Sequence, residues 1–383
     1  MSAPAAANRA RPLRSPRAAA RELSRVVSTH VVGGAARAAQ RATRRGAHGA
    51  PITTGPDRTV LLFYEDVEAD RLVPNDRYVR RAARRAYHAV TAGQSVSGFE
   101  IAFRMLRTAL ERAGCRVVVN NPALARRHPD HPVGICGYPH VLDRWSLPNP
   151  AVLGPGLFDH PSQAPRLMDD ARFRSYLVPC AWYRDVFAPQ YGDRCALWFG
   201  GIDTDAWPDL AAAPKDIDFL VYDKIRWNRE ALNASLMQPL LATLAERGQR
   251  VHVLRRGAYD LAEYRALLGR ARGVLFVCEH ETQGLAYQEA MACNVPILAW
   301  DPGEWLDPQR AAWTPDPVPA SSVPFFDARC GERFADAAEF SAALDRFLAR
   351  RAEYAPRAYV GQHLSFEESA RLYLAAYTAA ARR

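Results

Sequence analysis

From residue 59 onward the chain is punctuated by short apolar runs, each too short for a helix and each followed by polar residues. The first is Thr59-Val-Leu-Leu-Phe-Tyr64, with Glu65 and Asp66 at its C-terminal end. Val117–Val119, Val133–Cys136, Ala151–Leu153, Tyr176–Val178 and Ala196–Phe199 repeat the pattern. Such runs predict buried strands. After the first of them, Ile101, Met105, Leu106 and Leu110 recur at helical spacing, and Gly114 supplies a left-handed stop. Residues 67–94 are polar and basic and read as an insertion.

A stretch with Pro208 and Pro214, residues 201–216, reads as a linker, after which the pattern restarts. Strands are predicted at Asp218–Tyr222, Val251–Leu254, Val274–Val277 and Pro296–Ala299, and helices at 229–247, Leu261–Leu268 and Tyr287–Cys293. Two further helices are predicted near 336–351 and 366–380. Strands alternating with helices imply parallel sheets with helical crossovers. The expectation is an α/β chain of two doubly wound lobes, 56–208 and 209–362, with residues 363–383 as a helix packing back on the first. Sheets of this kind bind ligands beyond the C-terminal ends of their strands, so two of them frame a cleft.

Charge changes this picture only at one end. The chain has 383 residues and a formal charge of +9, which at first suggests nucleic acid. Residues 1–50, however, hold ten of the 50 basic residues and one of the 41 acidic ones, Glu22, so 40 of each remain for the rest. A neutral body argues against phosphate-backbone binding. Residues 1–55, rich in Ala and Arg, read as a disordered tail, with a basic arm touching anionic lipid or an organelle transit peptide as the alternatives. Seven scattered cysteines without a CxxC pair read as reduced thiols of a cytoplasmic protein.

The chemistry concentrates in Val274–Trp300. Its pattern is strand, polar loop, helix, tight turn, strand. Glu281 lies on the loop, Gly284 permits a close backbone approach, and Glu289 falls in the early turns of the helix. A helix start offers unpaired N–H groups and a positive dipole end to phosphate. Two acids flanking such a seat suit a nucleotide sugar, whose diphosphate separates ribose from hexose.

The segment Glu-x-x-Gly-Leu-x-x-x-Glu-Ala-Met-Ala-Cys-x-x-Pro, residues 281–296, resembles the donor-site signature of retaining GT-B glycosyltransferases of the family-4 (group 1) type. The resemblance implies the GT-B fold, two Rossmann-like domains facing across a cleft. It implies that Glu281 contacts the donor sugar, that Glu289 binds the ribose hydroxyls, and that Gly284 and Leu285 line the donor seat. It also implies retention of anomeric configuration. Two positions depart from the family: Gln283 stands where Phe is usual and bears on donor selectivity, and Asn294 stands where Gly is usual. Asn is the next-best residue for a left-handed turn.

Elsewhere the likeness is looser. Ser97-Gly98-Phe99-Glu100 resembles the opening of the family's first helix, placing Gly98 near the donor phosphate or acceptor; the alternative is that Gly98 is only the helix's first turn. Phe199-Gly-Gly-Ile-Asp-Thr-Asp205 is similar to the element that ends the family's first domain, and Ser365-Phe-Glu367 to its closing helix. A basic residue after the second lobe's first strand and another five positions on are family features, which Lys224 and Arg229 match, with Arg226 able to replace either. These cations would neutralise the diphosphate. A histidine late in the first lobe is also a family feature, met by His160 or by His140.

The resemblance implies a UDP- or GDP-linked donor as substrate, no resident cofactor, no metal, and a glycan or lipid-linked acceptor. Competing readings are a metal-dependent GT-A transferase through Asp203-Thr-Asp205 or Asp216-Ile-Asp218, a catalytically inactive GT-B-like binding module, and a sugar-nucleotide epimerase. Neither Asp-x-Asp triplet directly follows a predicted strand, where a metal site belongs.

Overall fold

In the computed structural model the described residues are 58–65, 79, 83, 97–143 and 145–382. The readings for residues 1–55 and for most of 67–94 therefore lie outside the described residues.

Six strands form the first sheet: β1 (Thr59–Glu65), β2 (Arg116–Val119), β3 (Val133–Gly137), β4 (Ala151–Gly156), β5 (Phe173–Val178) and β6 (Cys195–Leu197). All pair in parallel, in the order β2-β1-β3-β4-β5-β6. Helices α1 (Gly98–Arg112), α2 (Pro122–Arg127) and α3 (Ala181–Tyr191) belong to the same lobe. Ser97 begins α1 by accepting the N–H of Glu100 at 3.1 Å.

The second sheet is also wholly parallel, in the order β11-β10-β9-β7-β8. Its strands are β7 (Ile217–Asp223), β8 (Val251–Arg255), β9 (Ala271–Val277), β10 (Ile297–Trp300) and β11 (Gly331–Phe334). Residues 229–246 form α4 (Arg229–Leu232), a π turn (Asn233–Met237) and α5 (Gln238–Glu246) rather than one regular helix. Then follow α6 (Leu261–Arg270), α7 (Leu285–Ala292), α8 (Ala337–Arg350), α9 (Pro356–His363) and α10 (Phe366–Arg382). The apolar pattern missed β11, α2 and α9, which are short and only partly buried, and the longer α3. It placed the long strands and helices within a few residues.

Each face of the second sheet is covered. Leu220, Tyr222, Val274, Phe276 and Ile297 pack toward α6 and α7, whereas Phe219, Val221, Leu275 and Leu298 pack toward α5 and α8. The alternation along each strand is the period-2 consequence of side chains leaving opposite faces.

The last helix crosses back. Tyr373 and Tyr377 of α10 are buried with Val60, Leu62 and Cys136 of the first sheet, and the N–H of Leu61 donates to the Tyr377 hydroxyl at 2.9 Å. The two crossings touch: Ile202 N–H donates to Leu364 O at 2.8 Å. A Cβ on Gly201 would lie 2.7 Å from the Phe366 Cα, so glycine is required for this approach. Among the described residues no helix is long and apolar enough to span a membrane.

Candidate functional site

Strand order locates the crevice. β8 lies on one side of β7 and β9 on the other, so successive connections leave β7 in opposite directions. Doubly wound sheets open a binding crevice at such a switch point. The loops there are 224–228, after β7, and 278–284, after β9.

The two loops are zipped together. Lys224 N–H donates to Val277 O at 2.8 Å, and the N–H groups of Arg226 and Trp227 donate to Glu279 Oε1 at 2.7 and 3.0 Å. The Arg226 guanidinium donates to His280 O at 2.6 Å, and the Trp227 ring stacks on the His280 ring at 5.3 Å. Glu279 is 1% exposed, a buried charge made tolerable by these donors.

This zipper brings Lys224 to Glu281: its ammonium pairs with Glu281 Oε1, which the Cys278 thiol also approaches at 3.3 Å. The Glu281 backbone is fixed on both sides, its N–H to Ser321 O at 2.9 Å and its carbonyl by the Trp182 indole N–H at 2.9 Å. Trp182 lies on α3, so this last bond ties the second lobe's loop to the first lobe. Arg229 opens α4 and forms a bidentate pair with Asp223, both bonds at 2.8 Å. Arg226 is held mainly by Glu279 and His280.

Gly284 caps α7 with φ 82, and a Cβ there would collide with the Tyr287 ring and meet Glu281 Cγ at 3.2 Å. Glycine alone lets the loop turn so tightly into the helix. Leu285 packs against the core beneath. Glu289, four residues along α7, is pushed up to about 8 by burial, with Arg265 pulling weakly the other way. Burial and the charge of Glu289 push the Tyr259 and Tyr264 phenols up. Asn294 takes φ 61 at the turn after α7, the left-handed conformation expected of it.

Gln283 does something the sequence did not announce. Its amide bonds both ways with the Gly200 backbone, accepting the N–H at 3.0 Å and donating to the carbonyl at 2.6 Å. It acts as a one-residue strand bridging the lobes. His280 is also new: burial, reinforced by Arg226 and Lys224, lowers it to about 3, so the ring is neutral.

The first lobe has its own switch point, between β1 and β3. Tyr138 N–H donates to Glu65 O at 3.0 Å, and His140 Nε2 lies 3.8 Å from Glu65 Oε2. Phe99 meets the Tyr138 ring edge-on at 4.8 Å. Gly98 is the first residue of α1, with open space around its Cα, which is the plain helix-start geometry. His160 caps a short turn. Its Nδ1 faces the Ser162 hydroxyl at 2.8 Å in a capping box, and its ring stacks on Trp313 at 5.4 Å. Burial lowers its pKa.

The Asp-x-Asp triplets are occupied by arginines. Arg112 pairs with Asp203 at 2.9 Å, Arg270 with Asp216 at 2.7 Å and Arg250 with Asp218 at 3.0 Å. Among the described residues no group of three or more His, Cys, Asp or Glu could hold a metal ion.

Sequence reasoning missed Asp223, Glu279, Gln283 as a bridge, and Trp182. The first two carried a signal: each is an acid at or just past the end of a strand at the switch point. The Gln283 and Trp182 contacts are between lobes and had none.

No family model and no curated protein matches the chain. Solved structures do. The chain is similar to a glycosyltransferase from Rickettsia africae ESF-5, with 10% identity, 85% of this chain and 98% of that one covered, and a TM-score of 0.50. It is also similar to the catalytic domain of starch synthase IV from Arabidopsis thaliana, with 11% identity, 86% and 100% covered, and a TM-score of 0.50. With two parallel Rossmann-like sheets in this arrangement, the chain has the GT-B fold of glycosyltransferases.

Proposed function

We propose that the protein is a retaining glycosyltransferase that moves a hexosyl group from a UDP- or GDP-linked donor to a glycan, lipid-linked or small-molecule acceptor. One observation carries this: Glu281, paired with Lys224, sits on the loop that leads into α7 beyond β9, with Glu289 farther along that helix. The similar starch synthase structure contains ADP and acarbose, a nucleotide and a sugar.

In this reading the diphosphate rests at the start of α7, near Gly284 and Leu285, neutralised by Lys224 and Arg229 with Arg226 behind them. Glu289 accepts the ribose hydroxyls and Glu281 the donor sugar. Cations held at the crevice stabilise the departing nucleoside diphosphate, which is the electrostatic route to rate enhancement. The acceptor enters from the first lobe, past Gly98, with His140 or His160 handling its proton. No metal takes part, and the protein works in the cytoplasm or peripherally at the inner membrane face.

The test is transfer and hydrolysis across a panel of nucleotide sugars, by wild type, Glu281→Ala and Glu289→Ala, with and without a chelator. Turnover lost in both variants and indifferent to the chelator supports the reading; NMR of the product's anomeric proton checks retention. The second reading, an inactive binding module, draws on Gln283, which spends the position before Gly284 on joining lobes. Donor binding by wild type without turnover on any sugar would favour it.

A further inference from the structure

Three cations line the β7–β9 crevice, and each already has a carboxylate from its own lobe: Lys224 has Glu281, Arg226 has Glu279 and Arg229 has Asp223. The six charges cancel. A diphosphate approaching them gains no net attraction at long range, and close binding requires at least one cation to change partners.

The pairs differ in how readily they can do so. Arg226 is locked, because Glu279 also takes two backbone N–H groups and the guanidinium is bonded again to His280 O. Lys224 is anchored through its own N–H to Val277 O, and its ammonium lies against a buried carboxylate. Arg229 stands outside the zipper. Its side chain is 33% exposed, the most open of the three, and its guanidinium is held only by Asp223 and by Ile225 O at 3.0 Å. A long side chain at the first residue of a helix can swing on its own torsions without moving backbone.

We propose that Asp223 is a positioning residue that parks Arg229. In this role the carboxylate competes with the diphosphate for one guanidinium, and so sets both the affinity for nucleoside diphosphate and the speed with which that product leaves. The inference rests on the donor-seat reading above. Asp223 touches no donor atom; it acts through Arg229. Oδ1 of Asp223 also accepts the Ile225 N–H at 3.2 Å, so asparagine keeps the turn while removing the competing charge.

Isothermal titration with UDP, GDP, ADP and inorganic pyrophosphate is the test, on wild type, Asp223→Asn and Arg229→Ala. Asp223→Asn is expected to bind the preferred nucleoside diphosphate about tenfold more tightly, the scale of one charge-assisted bond. Its kcat and KM for the donor should fall together, because product release slows. Arg229→Ala is expected to bind at least tenfold more weakly. If Asp223→Asn is folded by near-UV circular dichroism yet binds no more tightly while Arg229→Ala weakens binding, parking is wrong and the donor seat stands. If no nucleoside diphosphate binds wild type, or Arg229→Ala binds as wild type does, the donor seat fails and the inference with it. Should Asp223→Asn misfold, Asp223→Ser carries the same expectations and decides.

Discussion

The two lobes repeat one sheet logic but finish it differently. At the second lobe's switch point, two loops are zipped by backbone bonds and each of the three cations meets an acid. At the first lobe's switch point the described residues include Glu65, Gly137, Tyr138 and His140, where the Tyr138 ring meets Phe99 edge-on and stacks near His140. In the proposed reading, the donor's diphosphate binds the second lobe. In the same reading, the acceptor enters from the first.

Rate measurements can break this comparison most sharply. Glu281→Ala should lower transfer by about a thousandfold, the scale of losing one preorganised group facing the developing charge. His140→Ala and His160→Ala should each cost no more than about a hundredfold. If either histidine variant costs more than Glu281→Ala, the chemistry is centred on the first lobe.

Gly284→Ala comes next. Its left-handed φ and the Tyr287 ring forbid the methyl, so a loss of about 2 kcal/mol in stability is expected, with weaker nucleotide binding. Denaturant titration and calorimetry measure the two.

Glu289 sharpens the comparison through pH. Its pKa is raised from 4.5 to about 8, so between these values the folded state holds a proton that the unfolded state has released. The stability this contributes is fully present below pH 4.5 and is lost as pH rises through 8. A melting temperature falling by about 5 °C across that window is expected, and Glu289→Gln should flatten the slope. Binding of nucleoside diphosphate should move the other way, tightening near pH 8, because ribose hydroxyls donate to a carboxylate. A binding profile flat in pH would remove Glu289 from the ribose.

The smallest effect belongs to the tie between lobes. Trp182→Phe deletes the indole bond to Glu281 O and should cost about 1 kcal/mol in unfolding free energy.

Much of this was legible in the chain because periodicity reports burial. Val274–Val277 and Pro296–Ala299 read as strands since neighbouring layers cover them on both faces, and Gly284 and Asn294 marked turns because few residues tolerate positive φ. Glu281 and Glu289 stood out by register with a motif. What the sequence hid was partnership. Nothing in a linear reading says that Arg229 will choose Asp223, that Glu279 will hold two loops together, or that Gln283 will reach Gly200 from 83 positions away. His160 shows how one residue type serves two ends: an imidazole suited to proton transfer also caps a short turn here.

The return of α10 to the first sheet has a consequence for how the protein comes into being. Tyr373 and Tyr377 pack on Val60, Leu62 and Cys136 beside Phe103, Leu106 and Leu110 of α1, so the cover of β1 is completed only when residues 366–382 emerge from the ribosome. The second lobe can collapse first, although it is made later. A nascent chain stalled before residue 366 would expose that face to chaperones, and proteolysis of such stalled chains should cut in the first lobe while sparing the second.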